Sequence, residues 1–343
     1  MAEFKTLDPI QVEMLKQVAD LHSVPEGAYS LRINGQLHGK NSSEHITIEK
    51  KTDVSGIDIY IAPNTQNESL HIPVILSQAG IKELVYNDFH IGENCNVPIV
   101  AGCGIHNGGD EASEHSGIHR FFVGKGARVK YVEKHYGSGD GNGERIMNPT
   151  TEVEMAEGSY MEMETAQIKG VDSTNRKTVA KLHDRSTLII HEKIMTHGTQ
   201  FAETHFEVDL DGEDCGCHVV SRSVAKEGAR QYFYSKVNGN NRCSGHTECD
   251  AIIMDSAKVV AVPQIEANHT EASLIHEAAI GKIAGEQLIK LMTLGLTEAE
   301  AEEQIDETDS RQNGVQSPEM QKKCRQRQSD HNPAHGFFPG SYL

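Results

Sequence analysis

The stretch from Arg242 to Leu294 reads RCSGHTECDAIIMDSAKVVAVPQIEANHTEASLIHEAAIGKIAGEQLIKLMTL, and its hydrophobic period changes partway along. Val260 and Val262 alternate as on a strand, whereas Leu288, Leu291, Met292 and Leu294 are spaced as on one face of a helix. A strand-rich body is therefore expected to end here and a helical segment to begin. Close to that junction stand Cys249 and, 27 and 28 positions later, His276 and Glu277. A thiol, an imidazole and a carboxylate form a donor set that suits a thiophilic metal such as iron. Successive strand residues point to opposite faces, so only one of His276 and Glu277 can share the side of Cys249; His276 is the favoured inward group.

N-terminal to this junction, from about residue 76, strands and turns dominate. Positions 170, 184, 198, 212, 226, 240, 254 and 268 hold Gly170, Asp184, Gly198, Gly212, Lys226, Asn240, Met254 and Asn268. Most of these tolerate the left-handed backbone that tight turns need. Between them lie strand-like pieces such as TLIIHEKIMT, FAETHFEVDL and ARQYFYSKVN. A fixed strand-plus-turn length of 14 residues, two to a coil, gives a β-helix rung of roughly 28 residues. A β-sandwich also repeats its strands every 8 to 12 residues, so periodicity alone leaves both architectures open.

The ends read differently. Asp8, Pro9 and Gln11 make a capping box with proline in the first turn, and Ile10, Met14, Val18 and Leu21 form a stripe, predicting a helix that Val24-Pro25 ends. Residues 1–75 are then this helix plus a small strand-rich region, 76–275 the β core and 276–309 a C-terminal helical region. Thr297 and Glu300 open a second capping box, in a segment with seven acidic residues and no basic one. Residues 310–343 are polar and aperiodic and are expected to be disordered.

Composition narrows the function. The 343 residues carry 32 Lys and Arg against 50 Asp and Glu, a net charge of −18, which argues against nucleic-acid binding through a basic surface. No run approaches 18 apolar residues and the N-terminus lacks a signal core, so a cytoplasmic protein without membrane contact is expected. Seven cysteines in a chain of this length do not read as a disulfide framework.

A second cluster, CGIHNGGDEASEHSGIHRFF, offers Cys103, His106, His115 and His119 at C-x2-H and H-x3-H spacings compatible with zinc or iron. Its bland reading is a solvated loop, made more credible by nineteen histidines in the chain. Cys249, taken alone, is equally well a small packing residue. The Cys215-Gly216-Cys217 pair would put both thiols on one strand face and reads as core packing. GSGDGNG (137–143) has neither the Lys-Ser/Thr nor the helix of a phosphate loop and reads as a flexible turn.

The phrase ECDAII, the strand pair after it, IHEAAIGKIAGEQL and the acidic LGLTEAEAEEQI together resemble the C-terminal signature of the SufB/SufD family of iron–sulfur cluster assembly proteins. DLHSVPEGAYSLRINGQ is similar to the start of its short members, and the resemblance covers most of residues 1–308. It implies a mainly β protein with a right-handed parallel β-helix core, an N-terminal helix and a C-terminal helical region. It further implies a scaffold rather than an enzyme, with a transient iron–sulfur cluster and, as in some assemblies of the family, a reduced flavin. Cys249 falls where SufB-type members carry their essential core cysteine, and His276 and Glu277 fall in the His-Glu-Ala segment where the SufD branch places an important histidine. The implied partners are a SufC-like ABC ATPase docked on the C-terminal helical region, a second copy or paralogue, a sulfur donor and apo-protein acceptors. A chain with both Cys249 and His276 suits a homodimer. Two rivals remain: a β-helical carbohydrate-active enzyme, disfavoured by the absence of Trp and of a signal peptide, and a metal-binding β-protein such as a cupin, disfavoured by the absence of a His-x-His pair.

Overall fold

A computed structural model describes residues 7–282. Between Ala28 and Lys282 the chain winds into a β-solenoid of about eight turns. Each turn lays one strand in each of two ten-stranded sheets. Pairing is parallel throughout, except for the hairpin Ala28–Ile33 with Gln36–Asn41 and the pair Ile46–Lys50 with Gly56–Ile61 at the N-terminal end. Ser173 pairs with Phe201, Phe201 with Arg230 and Arg230 with Lys258, so the late rungs advance by 28, 29 and 28 residues.

Left-handed residues occupy the corners at Gly158, Gly170, Arg185, Gly198, Asp214, Glu227 and Asp255. Gly170 and Gly198 stand where the recurrence puts them, whereas Arg185, Glu227 and Asp255 fall one residue beyond. What recurs is a small buried residue shortly after the turn, such as Ser159, Ser186, Cys215, Ala229 and Ala257. The backbone N–H groups of Ser159, Ser186, Ala229 and Ala257 close the turn on the carbonyl three residues back. A corner has room for a small side chain, and this requirement selects the sequence more than glycine does.

Alternate residues of each strand point inward and stack on their register partners. Ile59, Phe89, Phe121, Val153, Ala180, Val208 and Val237 form one such apolar column. Phe89 and Phe121 stack with ring centroids 4.2 Å apart. Cys215 and Cys217 lie in this same core, both buried, as the C-x-C spacing predicts.

The N-terminal helix spans Pro9–Ala19, with Gln11 N donating to Asp8 Oδ1 at 2.8 Å and Asp8 N donating to Gln11 Oε1 at 3.2 Å. It stops at left-handed Asp20, before Val24-Pro25. Met14, Leu15, Val18 and Ala19 are buried, but Ile10 is exposed. The helix lies against the outer face of strand Asn96–His106 at Gly102, where a Cβ would stand 2.3 Å from the Val18 carbonyl oxygen.

Three expectations shift. The solenoid begins well before residue 76, since Gly56–Ile61 and Leu70–Leu76 already pair in parallel with later strands. At the other end strand Ala272–Lys282 runs through His276 and Glu277, so no helix starts at 276; the expected helical region after Lys282 and the 310–343 tail lie outside the described residues. GSGDGNG is not a free turn: it is laid on the loop of the rung below, with Gly141 N and Gly143 N donating to the carbonyls of Asn107 and Gly109. A Cβ at Gly141 would stand 2.3 Å from Gly109 O, so contact rather than flexibility accounts for that glycine.

Candidate functional site

Cys249 lies on strand Cys243–Ile253 and His276 on the adjoining parallel strand Ala272–Lys282, where Thr247 is in register with His276 and Cys249 with Ala278. Thr247, Cys249 and His276 therefore share the inner face, one diagonal step apart. The Thr247 hydroxyl and His276 Nδ1 are hydrogen-bonded at 2.6 Å. His276 Nε2 is buried and has no hydrogen-bond partner. Burial, and secondarily His246, lowers the His276 pKa, favouring the neutral ring that a metal requires. Burial, together with the charges of Glu192 and Asp250, pushes the Cys249 thiol up to about 12, so it is protonated at neutral pH.

Glu277 falls on the other face. Its side chain is 65% exposed and lies 3.7 Å from His246 Nε2. With Glu248 these two form an outer group whose ligand atoms lie within 4.8 Å of one another. Of the three residues singled out at the junction, the structure brings Cys249 and His276 together and separates Glu277 from them by the thickness of the sheet.

Cys249 also ends a buried column. In successive rungs Glu133, Thr165, Glu192, Ser221 and Cys249 are register partners on the inner face, and each is buried. Ser221 Oγ and Thr204 Oγ1 donate to the two oxygens of Glu192 at 2.8 and 3.1 Å. A polar seam inside an otherwise apolar solenoid is costly unless its groups are paired. Arg176, 4% exposed, supplies the positive charge: Nη1 donates to Glu133 Oε2 at 2.6 Å, Nη2 to His135 Nδ1 at 3.2 Å, and Nε lies 3.6 Å from Glu192 Oε1.

The second cluster is only partly assembled. Cys103 and His135 are register partners on one sheet, facing His115 and His119 from the other. Burial opposes ionisation of Cys103, but the imidazoles of His115 and His135 reverse this and lower its pKa. Burial alone would lower the pKa of His115, yet the adjacent thiolate and Glu83 raise it. His119 bonds Tyr131 OH through Nδ1 at 2.7 Å and is held down to about 4 by burial. His106 is apart, with Nδ1 3.0 Å from Ser138 Oγ. The expected ligand group of Cys103, His106, His115 and His119 thus loses His106, because an odd offset from Cys103 along the strand sends its side chain outward. Sequence reading missed Glu133, His135 and Arg176, whose partners stand one or more rungs away.

These features define a β-solenoid protein whose interior gathers thiol, imidazole and carboxylate donors of the kind that handle a thiophilic metal. Residues 84–307 match the family described as the SUF system FeS cluster assembly, SufBD core domain. The chain belongs to this SufBD family of iron–sulfur cluster assembly proteins. It is 29% identical over 269 residues to an iron–sulfur cluster assembly SufBD family protein of Archaeoglobus fulgidus, covering 76% of this chain and 70% of that protein. A SufBD family protein of Methanothermobacter thermautotrophicus is 28% identical over 233 residues, 66% of this chain, and the match spans only about half, 54%, of that relative. SufB of Bacillus subtilis is 35% identical over 91 residues, 25% of this chain and 20% of that protein.

Proposed function

We propose that the chain is a scaffold on which iron–sulfur clusters are built, with Cys249 and His276 as ligands of the nascent cluster, its cargo. The observation that carries this reading is the shared inner face: a thiol and an imidazole with a free, buried Nε2 stand one diagonal step apart at the last described rung. The residues fit such a cargo, since thiolate is the natural ligand of cluster iron and imidazole a weaker one, a pair suited to holding a cluster and releasing it. Glu277, on the outer face, is a weaker ligand in this reading.

Two copies meeting at this end would bring two such pairs together, and a homodimer is the assembly proposed. Its support is the terminal strands, Lys258–Ala267 and Ala272–Lys282, which are the last members of the two sheets among the described residues. They expose Val260, Val262, Ile265, Ile275 and Ile280. An edge strand with apolar side chains invites pairing with another chain. The same reading includes an ABC-type ATPase docked on the segment after Lys282, a sulfur donor, apo-protein acceptors and a cytoplasmic setting, with ATP hydrolysis residing in the partner. No helix among the described residues is long and apolar enough to cross a membrane.

The test is iron and sulfide retained after anaerobic expression with the ATPase. Cys249→Ser and His276→Ala are expected to lose the cluster, and Cys217→Ser to keep it. A Cys249→Ser chain that holds a full cluster and transfers it as well as the parent would overturn the assignment.

A further inference from the structure

Far from Cys249 lies a polar layer that the cluster reading does not use. Cys103, Glu133 and His135 project from one sheet, all buried, with ligand atoms within 4.8 Å of one another. His115 faces them from the other sheet and is also buried, at 3% exposure. Its Nδ1 lies 3.2 Å from Glu83 Oε2, and Glu83 is held in turn by Arg32 at 2.7 Å. A carboxylate accepts only, so His115 Nδ1 carries the proton and Nε2 is left as the free end of the ring. That Nε2 is buried without a hydrogen-bond partner. The space beside it is kept open by Gly117, where a Cβ would stand 3.4 Å from His115 Nε2.

A carboxylate that fixes one ring nitrogen while the other points into a donor group is the usual setting of a metal-bound histidine. One thiolate, two imidazoles and a carboxylate are donors that a tetrahedral zinc-type ion takes.

We propose that Cys103, His115, His135 and Glu133 bind one divalent ion of zinc type, a site separate from that of the nascent cluster. The ion displaces the Cys103 thiol proton, and His115 binds through Nε2 while its Nδ1 proton stays hydrogen-bonded to Glu83. His135 binds through Nε2, which lies 3.5 Å from Glu133 Oε1, and moves its proton to Nδ1. Arg176 then gives up its 3.2 Å bond to His135 and keeps the 2.6 Å bond to Glu133. The ion joins the two sheets across the interior. Five rungs separate Cys103 from the Ala251 position beside Cys249, roughly 24 Å at about 4.8 Å per rung, so no ion can serve both cysteines. Burial on all sides makes loading a step of folding.

Cobalt is the probe. The full chain is expressed in minimal medium supplied with cobalt in place of zinc, then purified anaerobically without chelator and desalted. About one cobalt per chain is expected, with near-ultraviolet sulfur-to-cobalt charge-transfer absorption. Cys103→Ser abolishes the absorption, His115→Gln lowers cobalt content by about tenfold or more, and Cys249→Ser changes neither. Should Cys103→Ser fail to fold, His115→Gln keeps the thiol and gives the same reading. A cobalt-free parent chain, or absorption that survives Cys103→Ser or disappears with Cys249→Ser, overturns the proposal. The cluster reading is tested by other residues and a different metal, so either can fail alone.

Discussion

Arg176→Met removes the cation that three interior groups share. Its guanidinium is 4% exposed, Glu133 and Glu192 1% each, so no water replaces it. Burial raises the pKa of Glu133, but Arg176 and His135 bring it well below the ordinary range, and the carboxylate is ionised at pH 7. Glu192 contributes less: burial raises its pKa, and Ser221 and Thr204 hydrogen-bond it independently of Arg176. In the chain freed of metal the cost of the substitution is therefore mainly one uncompensated buried carboxylate, about 3–5 kcal/mol. For a chain of this size, at an unfolding entropy of about 2.1 cal/mol/K per residue, that corresponds to a fall of roughly 4–9 °C in the thermal midpoint, read by far-ultraviolet circular dichroism and checked by urea titration. The double variant Glu133→Gln/Arg176→Met is expected to recover at least half of the loss, because the stranded charge and not the missing bond dominates. A single variant within about 1 kcal/mol of the parent, or a double variant no more stable than the single, would refute this account of the seam.

Gly102→Val forces a side chain against the backbone of the N-terminal helix; eleven residues are too few to stay helical alone, so trypsin is expected to cut after Lys16 in the variant and not in the parent, and equal cleavage would count against the packing described. Asp88 accepts two bonds of 2.6 Å from Arg120 and one of 2.8 Å from Lys51. Burial raises its pKa, but these cations hold it below the ordinary value; its contribution is thus present above about pH 4 and lost as pH falls through the lower folded pKa. Asp88→Asn is expected to cost about 1–3 kcal/mol at pH 7 and progressively less as pH falls below about 4, and a pH-independent deficit would contradict the pairing. Thr247→Val removes the bond that orients His276 and is expected to weaken iron retention about 10- to 100-fold without altering the thiol count; retention equal to the parent's would show that His276 needs no such support.

The 14-residue recurrence left a solenoid and a β-sandwich both open, and it was the resemblance carried by ECDAII and IHEAAIGKIAGEQL that pointed to the β-helix. The exact corner residue was not legible, because the signal lies in the small inward side chain after the turn, and serine, alanine and cysteine carry it without a shared glycine. The inward choice of His276 over Glu277 followed from strand alternation and a single register. The interior seam needs more. Arg176 and Glu133 stand 43 residues apart, and Arg32 and Glu83 stand 51 apart. Such partners can be matched only when every rung length between them is known, and those lengths vary: Cys103 pairs with His135 across 32 residues, but Tyr160 with Thr187 across 27. The stacked loop containing GSGDGNG lies within one of the longer rungs.

Cys249 is buried and its thiol protonated, so in the proposed role the last described rung has to open to admit iron. Among the described residues the terminal strands are half-exposed and packed from one side, the condition in which local opening costs less than global unfolding. Cys217, with its thiol also pushed up to about 12 by burial, lies one strand further in on the same sheet and provides an internal standard of comparable intrinsic reactivity. Alkylation of the native chain by iodoacetamide at pH 7.5, followed by peptide mass analysis, is expected to label Cys249 at least tenfold faster than Cys217. That ratio requires only about 1.4 kcal/mol less opening free energy at the end than within. Equal labelling rates, or labelling of both only as the chain unfolds globally, would mean that the terminal rung does not open by itself. Cluster assembly at Cys249 would then depend on a partner to expose the thiol.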